Sequence, residues 1–165
     1  MSTAPYDHIV VCIDDDPASE PALQEAVRLR ALGPGKLDIV HVTPRPRLLI
    51  TGPYGYIPDP VDLYVEAQRW LYDRAAEFPD AEAVLLDGYP PRAACEYAEQ
   101  ANADLMVAAA HRGIVSRAML GGFAAYVAYH APCAVLLVHP ETAEDGPGRR
   151  RPGLTPARAC DPEVP

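Results

Sequence analysis

The sequence predicts an α/β protein built on a parallel sheet with helices on both faces. Five short apolar runs, 8–13, 37–42, 83–86, 104–109 and 134–138, are too continuous for strands with one wet face. Stretches with helical spacing separate them, and this alternation folds as successive βαβ units. With 165 residues, 49% of them hydrophobic and 22% charged, the chain is long enough for one domain. At that size about 70% of the unfolded surface can be buried, so the core needs neither disulfides nor a structural metal.

The elements follow in order. After the first strand Asp16 is placed to cap a helix and Pro17 suits the first helical position. Ala22, Leu23, Ala26, Val27 and Arg30 then form a stripe that stops near Gly33 and Gly35. A second helix is expected from 59 or 62 to 78, a third over 91–101 and a fourth over about 116–130. Two segments break the rhythm. Residues 43–60 carry five prolines, two glycines and two tyrosines, long for a connection in a compact domain, and read either as a lid over the sheet edge or as an irregular surface loop. From Pro140 onward six prolines and three glycines replace any apolar periodicity, so the domain is expected to span 1–139 and a disordered tail 140–165. Arg149, Arg150 and Arg151 in that tail read as a solvated cluster.

Charge and cysteine usage exclude some classes of function. Fourteen Lys and Arg face 23 Asp and Glu, net charge −9, and Lys36 is the sole lysine, which disfavours a basic face for nucleic acid. The N-terminus lacks a cationic n-region, and no run approaches the roughly 18 apolar residues of a spanning helix. Cys12, Cys95, Cys133 and Cys160 are widely spaced with no C-x-x-C pair, as in a protein with reduced thiols. A cytoplasmic protein without membrane or nucleic-acid partners is expected. Cys12 and Cys133 read as inert packing residues and Cys160 as an exposed thiol candidate.

In open α/β sheets ligands bind beyond the carboxyl ends of the strands. Those positions hold Asp14-Asp15-Asp16, Thr43, Asp87-Gly88, Ala110-His111-Arg112-Gly113 and His139-Pro140. The acidic triplet can bind Mg²⁺, hold a ribose or base edge, or cap the following helix. Asp16 suits the cap and Asp14 the ligand role. No Ser/His/Asp or Cys/His set stands out for catalysis. His41 reads as a core histidine, and His8, His130 and His139 lack metal spacing, so no metal site is expected.

The run VVCIDDDP resembles the opening of a response-regulator receiver domain. The fifth strand, however, is followed by His139 and the fourth by Ala110, where receivers have a lysine and a Ser or Thr. Asp14-x-Asp16 is similar to the start of haloacid-dehalogenase-type phosphatases, without their DxDGT-like continuation.

A longer resemblance runs from Tyr6 to His139. YDHIVVCIDDDPASEPALQEAVRLRA resembles the first strand and helix of the universal stress protein family, LDIVHVTP its second strand, and DGYPPRAACEYAEQANADLMVAAA its third helix and fourth strand. RGIVSRAMLGGFAAYVAYHAPCAVLLVHP matches the family's last segment without gaps, with Gly113, Leu120, Gly121, His130, Ala131, Pro132, Cys133 and Val135 in register. The resemblance implies a single-domain, Rossmann-like fold of the adenine nucleotide alpha hydrolase type, its five strands ordered 3-2-1-4-5. It also implies a homodimer through the last strand and, in many members, an adenine-nucleotide site.

Carried over by position, Asp14 and Val42 match residues that hold adenosine, and Gly121 matches the last glycine of a phosphate motif, G-x-x-G, nine residues, G-S/T. Glycines there let backbone N–H groups approach phosphate. In this chain the G-x-x-G falls on Ala108-Ala109-Ala110-His111, and Gly122 replaces the hydroxyl residue. If the second glycine takes positive φ, a β-carbon there costs about 1–2 kcal/mol. Moving the motif to Gly113 leaves seven residues before Gly121 and loses the downstream register. The expectation is therefore a regulatory or interaction domain with a degenerate ATP motif and an unidentified protein partner, acting without catalysis. The alternative is an adenine-nucleotide sensor taking ATP or AMP, with Mg²⁺, in which His111, Arg112 and Arg117 form a substitute anion site.

Overall fold

The computed structural model describes residues 5–43, 60–110 and 122–139. Strands β1 (His8–Cys12), β2 (Lys36–Thr43), β3 (Ala81–Asp87), β4 (Leu105–Ala109) and β5 (Ala134–Val138) alternate with helices α1 (Glu20–Arg30), α2 (Pro60–Ala75), α3 (Pro90–Gln100) and α4 (Gly122–His130). They form one sheet of order β3-β2-β1-β4-β5, every pair parallel, which is the expected architecture.

Side chains alternate across each strand, so neighbouring residues feed two different cores. Ile9, Val11 and Ile13 pack with Leu23, Ala26, Leu71 and Ala75 of α1 and α2. Val10 and Cys12 point the other way, onto Ala94, Ala98 and Val127 of α3 and α4. Each fully buried aliphatic side chain contributes about 1.5–3 kcal/mol. The edge strands differ from the expected burial on both faces: Val84 to Leu86 and Val135 to Val138 are only half-buried. An outermost strand has a neighbour on one side alone, and its apolar run does not reveal that.

Local chemistry sets the boundaries. Asp16 does cap, its Oδ1 accepting the Ala18 N–H at 2.9 Å, but Pro17 opens a short 3₁₀ turn, Pro17–Ser19, and α1 starts only at Glu20. Gly35 is buried where a β-carbon would collide with the Tyr6 carbonyl, which brings the chain tightly into β2. β3 begins two residues earlier than its apolar run, because Glu82 pairs across to Asp38 in the ladder and reaches Lys36 Nζ at 3.0 Å. α3 ends with Asn102 at φ 52° while the Ala103 N–H donates to the Ala98 carbonyl at 2.9 Å, a left-handed stop that asparagine tolerates. Residues 116–121 of the expected fourth helix, 44–59 of the long connection and the tail from 140 lie outside the described residues.

At the amino end of the sheet one carboxylate is wholly buried. Asp38, at 0% exposure, accepts from His8 Nε2 at 2.6 Å and from the Tyr97 hydroxyl at 2.8 Å, and Lys36 Nζ lies 3.1 Å from its other oxygen. His8 Nδ1 is 3.0 Å from the Ala101 carbonyl, while Asp104 accepts the backbone N–H groups of Asp7 and His8. Burial and the bond to Asp38 push the Tyr97 hydroxyl above its ordinary range, keeping it a donor.

Candidate functional site

The opposite, carboxyl end of the same central strands is open. A cavity of about 660 Å³ lies there, lined by Asp14 and Asp15 after β1, by Val40, His41 and Val42 of β2, and by Ala109 of β4. Pro90 and Phe123 contribute from the starts of α3 and α4, and Leu63, Glu66, Ala67 and Trp70 form a wall on α2. The volume falls within the roughly 300–1,000 Å³ of small-molecule sites.

The turn that carries the acidic triplet is fixed from beneath. Buried Ser19 donates its hydroxyl to the Asp14 carbonyl at 2.9 Å and the Asp16 carbonyl at 2.8 Å. Asp14, Asp15 and Asp16 are all exposed; Asp14 and Asp15 face the cavity, whereas Asp16 is engaged as a cap. On β2, His41 Nδ1 sits 2.9 Å from the Ile13 carbonyl, and its ring meets Trp70 edge to face with centroids 5.1 Å apart. The ring is therefore held from two sides.

Cys12 also borders the cavity, but burial, with Cys95 and Cys133 nearby, pushes its thiol up to about 12. Burial likewise raises Cys95 and Cys133. The inert role expected of Cys12 and Cys133 fits this, because the thiolate is the reactive form. Cys160 lies outside the described residues.

Of the expected site residues, Asp14 and Val42 stand together on the cavity wall. Ala108 is 1% exposed in the α3/α4 core, and its neighbour Ala109 is the one that reaches the cavity. Gly122 opens α4 on the exposed side, where a β-carbon would meet nothing within 4 Å. His111, Arg112, Gly113, Arg117 and Gly121 lie outside the described residues. Thr43 donates its hydroxyl to the Leu86 carbonyl at 3.0 Å, a structural bond between β2 and β3. Among the described residues no group of three or more His, Cys, Asp or Glu is placed to hold a metal ion. No helix there is long and apolar enough to cross a membrane.

Sequence reasoning missed the α2 wall, and its reading of His41 as a core histidine is corrected, since the residue is half-buried and lines the cavity. The signal for the wall was present, since Leu63, Glu66, Ala67 and Trp70 fall at i, i+3, i+4 and i+7. His41 could be recognised only once Ile13 and Trp70 were placed around it.

A single parallel sheet with helices on both faces and a crevice at its carboxyl edge defines a doubly wound α/β fold. Residues 5–139 match the model of the Universal stress protein family, and the chain belongs to that family. Among solved structures it is similar to universal stress protein UspA from Lactobacillus plantarum, at 24% identity and TM-score 0.65, covering 82% of this chain and 99% of that one. It is similar to a universal stress protein in complex with cAMP, at 25% identity and TM-score 0.63 with the same coverage. It also resembles a universal stress protein from Archaeoglobus fulgidus in complex with dAMP, at 22% identity and TM-score 0.55, covering 80% of this chain and 97% of that one. No curated protein matches the chain.

Proposed function

We propose that this chain is a regulatory domain that holds a small adenine nucleotide at the carboxyl edge of β1 and β2, with no catalytic step of its own. The observation that carries this is the cavity itself, which brings Asp14 and Val42 onto one wall. A carboxylate there suits ribose hydroxyls or a base edge, because an ionised carboxylate only accepts. The relative solved with cAMP, 25% identical over 82% of this chain, supports a ligand with one phosphate. Ala108 and His111 at the two glycine positions of the motif point the same way, since both replace residues whose missing side chain lets backbone approach phosphate.

Trp70 is the single tryptophan of the chain and lines the cavity, so its fluorescence reports occupancy. Titration with AMP, cAMP and ATP, each with and without Mg²⁺, is expected to show saturable binding of the monophosphates and weaker binding of ATP. Asp14→Ala is expected to weaken AMP by about tenfold or more, as for a charge-assisted hydrogen bond. An unchanged signal with all three ligands, and no thermal stabilisation at high concentration, would leave the second reading, an interaction domain without nucleotide. That reading draws on the same two replaced glycines, at Ala108 and His111.

The assembly expected is a homodimer through β5. This strand ends the sheet and, among the described residues, ladders only with β4, so its outer edge can pair with a second copy. Light scattering at micromolar concentration should give twice the 17.8 kDa chain mass; a strict monomer removes the dimer from the proposal.

A further inference from the structure

We infer that His41 reads the base in this crevice, selecting a purine with an amino group at position 6 over one with a carbonyl there. This rests on the adenine-nucleotide reading above and deepens it by naming the discriminating atom. His41 Nδ1 lies 2.9 Å from the Ile13 carbonyl oxygen. A carbonyl oxygen can only accept, so Nδ1 carries the proton, and in the neutral ring Nε2 presents its lone pair.

Among the described residues no group bonds Nε2, and it is not one of the buried atoms left without a partner. The ring is half-buried, lines the cavity, and cannot simply turn over without giving up the Ile13 bond. Trp70, 5.1 Å away with its ring tilted 66° to the imidazole, restricts it further and offers an aromatic surface to a planar base. The crevice thus pairs an aromatic wall with one fixed acceptor. A 6-amino group donates to that acceptor. A 6-oxo group, as in hypoxanthine or guanine, sets oxygen against lone pair and leaves both unpaired, the costlier situation in a partly dry site.

The test compares AMP, IMP and purine riboside 5′-monophosphate, which lacks any 6-substituent, on the full chain by Trp70 fluorescence. AMP is expected to bind about tenfold tighter than IMP, the size of one hydrogen bond made rather than lost. The riboside should fall between them. In His41→Phe, which keeps a flat ring but no acceptor, the AMP/IMP preference should collapse. Imidazole ¹⁵N spectra of the wild type provide a reading that needs no variant: AMP should shift the Nε2 resonance of His41 and IMP should not. Equal wild-type affinity for AMP and IMP overturns the inference while the nucleotide reading stands. So does a preference that survives in His41→Phe, or an Nε2 resonance that AMP leaves in place. Binding of none of the three nucleotides takes down the nucleotide reading and this inference with it.

Discussion

The two ends of strands β1 and β2 treat polar groups in opposite ways. At the amino end, Asp38 is sealed at 0% exposure and meets His8, Tyr97 and Lys36. At the carboxyl end, Asp14 and Asp15 stand exposed around a cavity of about 660 Å³, and among the described residues His41 is bonded through Nδ1 alone. The same pair of strands therefore anchors the fold at one end and borders a cavity at the other. A buried charge must be satisfied by protein, because water cannot reach it, whereas exposed carboxylates are solvated by water.

The sharpest way to break this contrast is Asp38→Ala. Removing the carboxylate leaves His8 Nε2 and the Tyr97 hydroxyl without their acceptor beside a new void, while Lys36 keeps Glu82, and stranding part-buried polar groups in this way costs about 1–3 kcal/mol. Urea denaturation should show the loss as a lower midpoint with an unchanged slope. Nucleotide affinity of the folded protein should stay where it was. If affinity fell in step with stability, the two ends would be coupled and the division between them would not hold.

Cys12 offers a second, smaller effect, now at the carboxyl end. Its thiol is raised in the folded chain from 9.0 to about 12, chiefly by burial. A raised folded value means that the associated stability is complete below the unfolded value, about pH 9, and is lost as pH climbs toward 12. By pH 10 the loss attributable to this thiol is on the order of 1 kcal/mol. Tyr97 and Lys36 are raised as well and add in the same direction, so the quantity to measure is the wild-type slope between pH 8.5 and 10.5 minus that of Cys12→Ala (pH limits about a unit either side of the thiol range). Equal slopes would mean that the cavity lets water reach the thiol, and that the open end extends deeper than Val42.

How much of this was legible in the sequence varies with the range of the interaction. The central strand β1 reads directly from its continuous apolar run, because burial on both faces demands apolar residues at every position. The edge strands gave the same signal with half the burial, since what distinguishes them is a missing neighbour rather than a different composition. Asp14 was legible through its position after β1 and through family resemblance, and Val42 through the resemblance alone. The Asp38 network was not, because its partners sit 30 and 59 residues away; the only hint was a lone acid inside LDIVHV. Ser19 was overlooked for a different reason. Its role is to bond two carbonyls of the preceding turn, and any small polar residue before a helix looks like a cap.

Asp16 provides the finest division, within the acidic triplet itself. It lies two residues from Asp14, with the same charge and the same exposure, yet its Oδ1 is spent on the Ala18 N–H at 2.9 Å while Asp14 lines the cavity. Asp16→Ala should cost about 1 kcal/mol of stability, the usual value of a lost cap, and leave AMP affinity close to wild type. Asp14→Ala should do the reverse. Thermal melts and Trp70 titrations on the two variants separate the roles, because a cap acts on folding and a ligand group on binding. Should both substitutions weaken AMP equally without touching stability, the triplet would be acting as one diffuse negative field, and the assignment of a structural and a binding carboxylate two residues apart would fail.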